Sequence, residues 1–210
     1  MTELRQALDE INAIRAHVAR GSEFRGYGPL SIASSGVLAL LIAALQTVWA
    51  QDSADGVDSF LAIWIATAAV SVGCASAETV VRARRVHLGF AREMIGAALE
   101  QFLPAIVAGV ALTVVVTQAA PTEAWMLPGL WQLIFALGVF ASCRVLPRQM
   151  FGVGVWYLVA GLVSLMVASG PRTLLPWAMG IPFGLGQLFV AGVLLYGFKE
   201  SREESQRQIG

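Results

Sequence analysis

Few side chains in this sequence are of a type that does chemistry, and their spacing argues against most of it. His17 and His87 are the two histidines. Both lie in segments read below as outside the bilayer, so they do not make the pair of axial ligands that a haem at membrane depth requires. Cys74 and Cys143 sit at similar depth in two apolar segments, with no CxxC around either. Two thiols fall short of the four ligands zinc usually takes, and small packing residues are the simpler reading. The sequence has no GxSxG, no HExxH, no paired carboxylates within one apolar segment and no phosphate-cradling glycine loop. Glu78 with Arg144 or Arg148 forms an ion pair on one face if the segments that end there pack together. A structural clamp is the expected role of that group, and a lipid-acting enzyme would have to be built on it. No catalytic residue, metal site or cofactor is therefore assigned.

What remains inside the apolar segments is neutral. Gln132, Thr113, Thr117 and Ser164 fall in the same half of the segments that hold them, and Gln187 lies near the middle of the last one. That last segment opens on Pro176-Trp177-Ala178-Met179-Gly180-Ile181-Pro182-Phe183-Gly184-Leu185-Gly186-Gln187. Pro182 lacks the N–H that would bond the carbonyl one turn earlier. Gly180 and Gly184 form a GxxxG pair, which lets two helices approach closely. A kinked packing helix explains the proline and the glycines together, with interhelical hydrogen bonds worth on average about 0.6 kcal/mol each. The competing role is a solute vestibule lined by Gln132 and Gln187, with Gly180 and Gly184 turning backbone carbonyls toward it. Packing is the expected role.

Such residues need membrane helices to position them. Hydrophobic residues make up 57% of the 210 and charged residues 13%, with a mean hydropathy of +0.69. A soluble domain has roughly a quarter of its residues charged. So much apolar surface does not fit into one water-soluble core, and the bilayer must act as part of the solvent. Apolar segments at 30–50, 59–77, 101–119, 127–146, 151–169 and 174–197 each approach the roughly 20 residues that cross about 30 Å of hydrocarbon. The expected fold is an all-α integral membrane protein, a six-transmembrane-helix bundle. Residues 1–28 read as a cytosolic amphipathic helix and linker, 29–198 as the membrane domain and 199–210 as a cytosolic polar tail. Pro104 is expected in the first turn of the third span, where a missing N–H costs little. A formal net charge of zero leaves no basic excess to neutralise phosphates, which argues against nucleic acid as a partner. The opening residues hold no early apolar run, so no cleavable signal peptide is expected.

Charge fixes the expected orientation. With six spans alternating across the membrane, every Lys and Arg except Arg172 falls on one side. The positive-inside rule makes that side the cytosol, with both termini in it, of a plasma membrane of bacterial inner-membrane type. Trp49, Trp125 and Trp177 fall at the opposite ends of their spans, and Tyr27 and Tyr196 at the cytosolic ends, as an aromatic belt requires. Trp64, Trp131 and Trp156 sit deeper and read as packing residues.

Two stretches outside the spans are amphipathic. From Thr2 to Arg20, Leu4, Leu8, Ile11, Ile14 and Val18 recur every three or four residues, and Gly21 supplies a stop. Between spans two and three, Val81, Leu88, Ala91, Ile95, Ala98 and Phe102 follow helical spacing, with Arg82, Arg85 and Arg92 on another face. This reads as a cytosolic interfacial helix, interrupted at Gly89, whose arginines meet anionic lipid headgroups at about 1 kcal/mol each. An internal duplication is a further candidate: residues 2–77 against 80–146, a parallel two-span repeat in which Gln46 corresponds to Gln118.

No ionisable group lies near the centre of a span, which argues against a proton-coupled pump. The expected function is that of a non-catalytic membrane component, an interaction, regulatory or scaffold element using its cytosolic amphipathic helices toward the lipid surface, a protein partner or a second copy. The alternative is a small transporter or channel for a neutral or weakly polar solute, with its site near span six.

Overall fold

The computed structural model describes residues 29–49, 56–85, 89–143, 149–167 and 174–207, without the side chains of 79–99 and 197–207. The amphipathic helix expected over residues 2–20 lies outside the described residues. Six α-helices follow in order: α1 Pro29–Trp49, α2 Val57–Arg85, α3 Gly89–Ala119, α4 Leu127–Ser142, α5 Met150–Val167 and α6 Pro176–Arg207, with a 3₁₀ helix at Pro121–Met126 leading into α4. No strand occurs among the described residues. Proline sets several of the starts. Pro29, Pro121 and Pro176 each open a helix and Pro128 is the second residue of α4, positions where the missing N–H has no helical partner to lose.

Among the described residues, six helices are long and apolar enough to cross a membrane: Pro29–Trp49, Val57–Glu78, Glu100–Ala119, Pro121–Ser142, Met150–Val167 and Pro176–Tyr196. The chain is therefore a multi-pass membrane protein by length and composition. One end of the bundle carries Trp49, Trp125 and Trp177 and is the tryptophan end. The other, where Arg82 and Arg92 fall, is the arginine end.

Two expectations take a different form. Residues 79–85 continue α2 without interruption and α3 begins at Gly89, so the helical turns between spans two and three are the ends of two long helices and not an element of their own. That lengthening moves Pro104 from the first turn to the interior of α3, where it takes a bonding partner from the carbonyl of Glu100. The apolar period there ran on through the loop, and α3 follows the period.

The most extensive packing is α1 on α6 and α4 on α5; α3 leans on α4, and α2 on α1. Close approach is made by glycine. A Cβ on Gly36 of α1 would stand 2.7 Å from the backbone oxygen of Gly184, and one on Gly180 would meet the Ala43 Cβ. Gly129 of α4 and Gly161 of α5 face each other in the same way, each with its Cβ position 2.9 Å from the other's carbonyl oxygen. In lipid no hydrophobic force draws helices together, so close contact of this kind carries the association.

The core divides by depth. Toward the tryptophan end, Ala39, Ala43, Phe60, Leu61, Trp64, Ala124, Leu127 and Met179 form one buried cluster. Toward the arginine end, Ile32, Ala136, Val139, Met150, Val153, Tyr157, Ala191 and Leu194 form another. Phe183 packs against both.

Candidate functional site

The side-chain hydrogen bonds between helices gather in the tryptophan half of the bundle, and Gln132 is their centre. It lies on α4 and is fully buried. Its Nε2 donates to the carbonyl oxygen of Ala178 at 2.7 Å. Ala178 is the residue whose carbonyl loses its helical donor to Pro182, four positions on, so the amide of one helix replaces the bond that the proline of another removed. Ser164 of α5 donates to Gln132 Oε1 at 3.5 Å, a long contact. One turn along α6, Trp156 of α5 donates its Nε1 hydrogen to the carbonyl oxygen of Pro182 at 3.0 Å. Gln132 and Trp156 together join α4, α5 and α6.

The remaining pairs are indole donors on polar acceptors. Trp64 Nε1 donates to Gln46 Oε1 at 3.0 Å, tying α2 to α1, and Trp131 Nε1 donates to Thr113 Oγ1 at 2.8 Å, tying α4 to α3. Both partners are 18 residues apart in sequence. The two hairpins thus place a tryptophan on its polar acceptor in the same register, matching Gln46 with Thr113. Gln118, the match read from sequence, is exposed. Thr113 and Thr117 otherwise return their hydroxyls to carbonyls of their own helix, at Gly109 and Thr113.

The structure does not bring Gln132 and Gln187 together. Gln187 stands nine positions beyond Ala178 on α6, about 13 Å of rise and half a turn out of phase. Its Cβ lies 3.1 Å from the position a Cβ on Gly36 would take, so it belongs to the α1 side of the helix. No hydrogen bond ties its amide to the described residues. Gly180 and Gly184 face Ala43 and Leu40 of α1. Their carbonyls belong to a continuous helix packed on another.

At the arginine end, Glu78 is half-buried and has interactions of its own. Arg82 and Arg85 fall on the extension of α2 and Arg92 on that of α3, while Arg144 and Arg148 lie outside the described residues. Cys74 is exposed, Cys143 is half-buried and both are free. Among the described residues no three His, Cys, Asp or Glu side chains come together to hold a metal ion.

Two residues of the site escaped the sequence reading. Trp156 reads from sequence as a packing residue, and nothing local signals that its indole donates to the Pro182 carbonyl. Tyr157, fully buried among Phe135 and Phe183 with ring centroids 4.6 and 5.2 Å away, carried no signal at all. No protein-family model matches the chain, and no curated protein and no solved structure matches it.

Proposed function

We propose that the protein is a non-catalytic multi-pass membrane component, an interaction, regulatory or scaffold element, seated in a plasma membrane of bacterial inner-membrane type with both termini in the cytosol. The observation that carries this reading is the use made of the buried amides. Gln46 and Gln132, the two buried most deeply, each bind a neighbouring helix and so serve the bundle itself. Outward-facing features favour association. Ala62, Ala66, Ala69, Gly73 and Ala77 lie exposed along one side of α2, spaced as a small-residue face on which a second helix packs closely in lipid. Arg82 and Arg85 stand four and seven positions past Glu78, about 6 to 10 Å along the helix, at the depth of anionic headgroups.

The test uses purified protein labelled with donor and acceptor dyes and reconstituted into one population of liposomes. Energy transfer that persists on dilution with unlabelled lipid, and that Gly73→Leu removes while leaving the fold intact, is the expected result. Absence of transfer together with uptake of glycerol or urea that falls in Gln187→Leu would favour the second reading. That reading, a small transporter or channel for a neutral or weakly polar solute, is supported by Gln187, whose amide has no hydrogen-bond partner among the described residues and whose Cβ lies beside Gly36.

A further inference from the structure

Three positions four residues apart on one face of α6 meet a polar side chain from α4 or α5. At Ala178 the donor is Gln132, and at Pro182 it is Trp156. The third position is Gly186. There the Tyr157 hydroxyl lies so close that a Cβ on Gly186 would collide with it. Yet this hydroxyl, on a side chain with no exposed surface, has no hydrogen-bond partner. The first two rungs of a ladder are made and the third is open.

A buried phenol left unbonded is uncommon, because the group was hydrogen-bonded to water before burial and gains nothing in exchange. The carbonyl of Gly186 offers the missing acceptor. A helical carbonyl keeps a second lone pair, the one that Trp156 already uses at Pro182. Two features let α6 move to meet it. Pro182 removes one internal bond just ahead of Gly186, which is where helices bend. Glycine flanks the bend on both sides, Gly184 under the Leu40 side chain of α1 and Gly186 under the Tyr157 ring of α5, so α6 has no side chain of its own to withdraw at either point.

We propose that α6 is a lever hinged at Pro182, rocking between the register described here and a second one in which the Tyr157 hydroxyl donates to the Gly186 carbonyl. Beyond the hinge the helix runs unbroken to Arg207. Gly186 is about 6 Å from the hinge and Arg207 about 37 Å. The Tyr157 ring already touches Gly186, so the motion is a sideways shift, and each shift of about 1 Å at Gly186 displaces the far end by about 6 Å, a sixfold gain by rigid rotation. The end that moves is the part of α6 extending past Tyr196, the last residue of its span. Contacts at the third rung are thereby coupled to the position of the C-terminal helix outside the bilayer.

The experiment is a double electron–electron resonance measurement in lipid nanodiscs. Spin labels go on Leu30→Cys and Ser201→Cys in a chain carrying Cys74→Ser and Cys143→Ala. Ser201 lies about 28 Å past the hinge, so the unsubstituted hinge is expected to give two distances up to about 5 Å apart, the minor one held by on the order of one molecule in ten. Tyr157→Phe, which keeps the ring and removes the hydroxyl, is expected to leave the major distance alone and to unfold at the same or a higher temperature. Pro182→Ala is expected to leave one distance as well. A single distance in the parent chain overturns the proposal, and so do two distances that persist in Tyr157→Phe. A Tyr157→Phe chain that unfolds more easily overturns it too, since the hydroxyl would then already have a partner in the described register.

Discussion

At the tryptophan end α1, α2, α4 and α6 share a core around Phe60, Trp64 and Leu127, and side-chain hydrogen bonds cross between helices at Gln46, Thr113 and Gln132. At the arginine end no described side chain of α2 joins the core, which draws on α1, α4, α5 and α6 with Phe102 of α3 packed against it. From Ile65 to Ala77 only Thr67, Ser71 and Ala75 are even half-buried, and a Cβ on Gly73 would meet nothing within 4 Å. The same helix is thus locked in place over its first two turns and bare below them. In lipid the difference is informative, because apolar contact alone holds helices little better than acyl chains do. Where the helices are drawn together the bundle uses hydrogen bonds and glycine crossings, and where α2 is bare its small residues are available to another helix.

The largest expected effect that would sharpen this contrast compares two glycines. Gly36→Val drives a branched side chain into backbone that cannot rotate away and is expected to cost about 3 kcal/mol, the top of the usual range for overpacking. Gly73→Val is expected to change stability by no more than about 0.5 kcal/mol, as at a surface position. Reversible unfolding in mixed lipid and dodecyl sulfate micelles reads both, and equal costs would break the comparison.

Gln132→Leu comes next. It leaves the carbonyl of half-buried Ala178, at membrane depth, with neither its helical donor nor its substitute, and a loss of about 2 kcal/mol is expected in the same assay. Smaller still are Trp64→Phe and Trp131→Phe, which keep most of the ring packing and remove one indole donor each. About 0.6 to 1 kcal/mol apiece is expected, with the two losses alike because the two bonds occupy equivalent places in their hairpins. A loss at Trp64 several times that at Trp131 would argue against the equivalence.

The spans and their order were legible because length and apolarity decide them, and the prolines that open α1 and α6 mark the starts to within a residue or two. A freed carbonyl on Ala178 follows from Pro182 by residue type, whereas its acceptance of Gln132 depends on α4 lying beside α6, which no local pattern encodes. Gly180 and Gly184 announced a close crossing without saying that Gly36 of α1 would be opposite. Pro104 was misplaced because the third helix begins 11 residues before its span, and hydropathy marks the span and not the helix. Gln118 was matched to Gln46 by residue type, while the structure matches by position and puts a threonine there. Tyr157 was invisible for a deeper reason: an unmet hydroxyl is a property of everything around it.

Whether Gln132 serves the bundle or a solute is tested most directly by a double-mutant cycle with Pro182. Pro182→Ala restores a donor to the Ala178 carbonyl, so the amide of Gln132 is no longer the only group that can satisfy it. Unfolding free energies are to be measured in lipid for the parent chain, Gln132→Leu, Pro182→Ala and the double variant. The cost of Gln132→Leu is predicted to fall from about 2 kcal/mol to below about 0.5 kcal/mol once alanine replaces Pro182. An equal cost in both backgrounds would contradict the account.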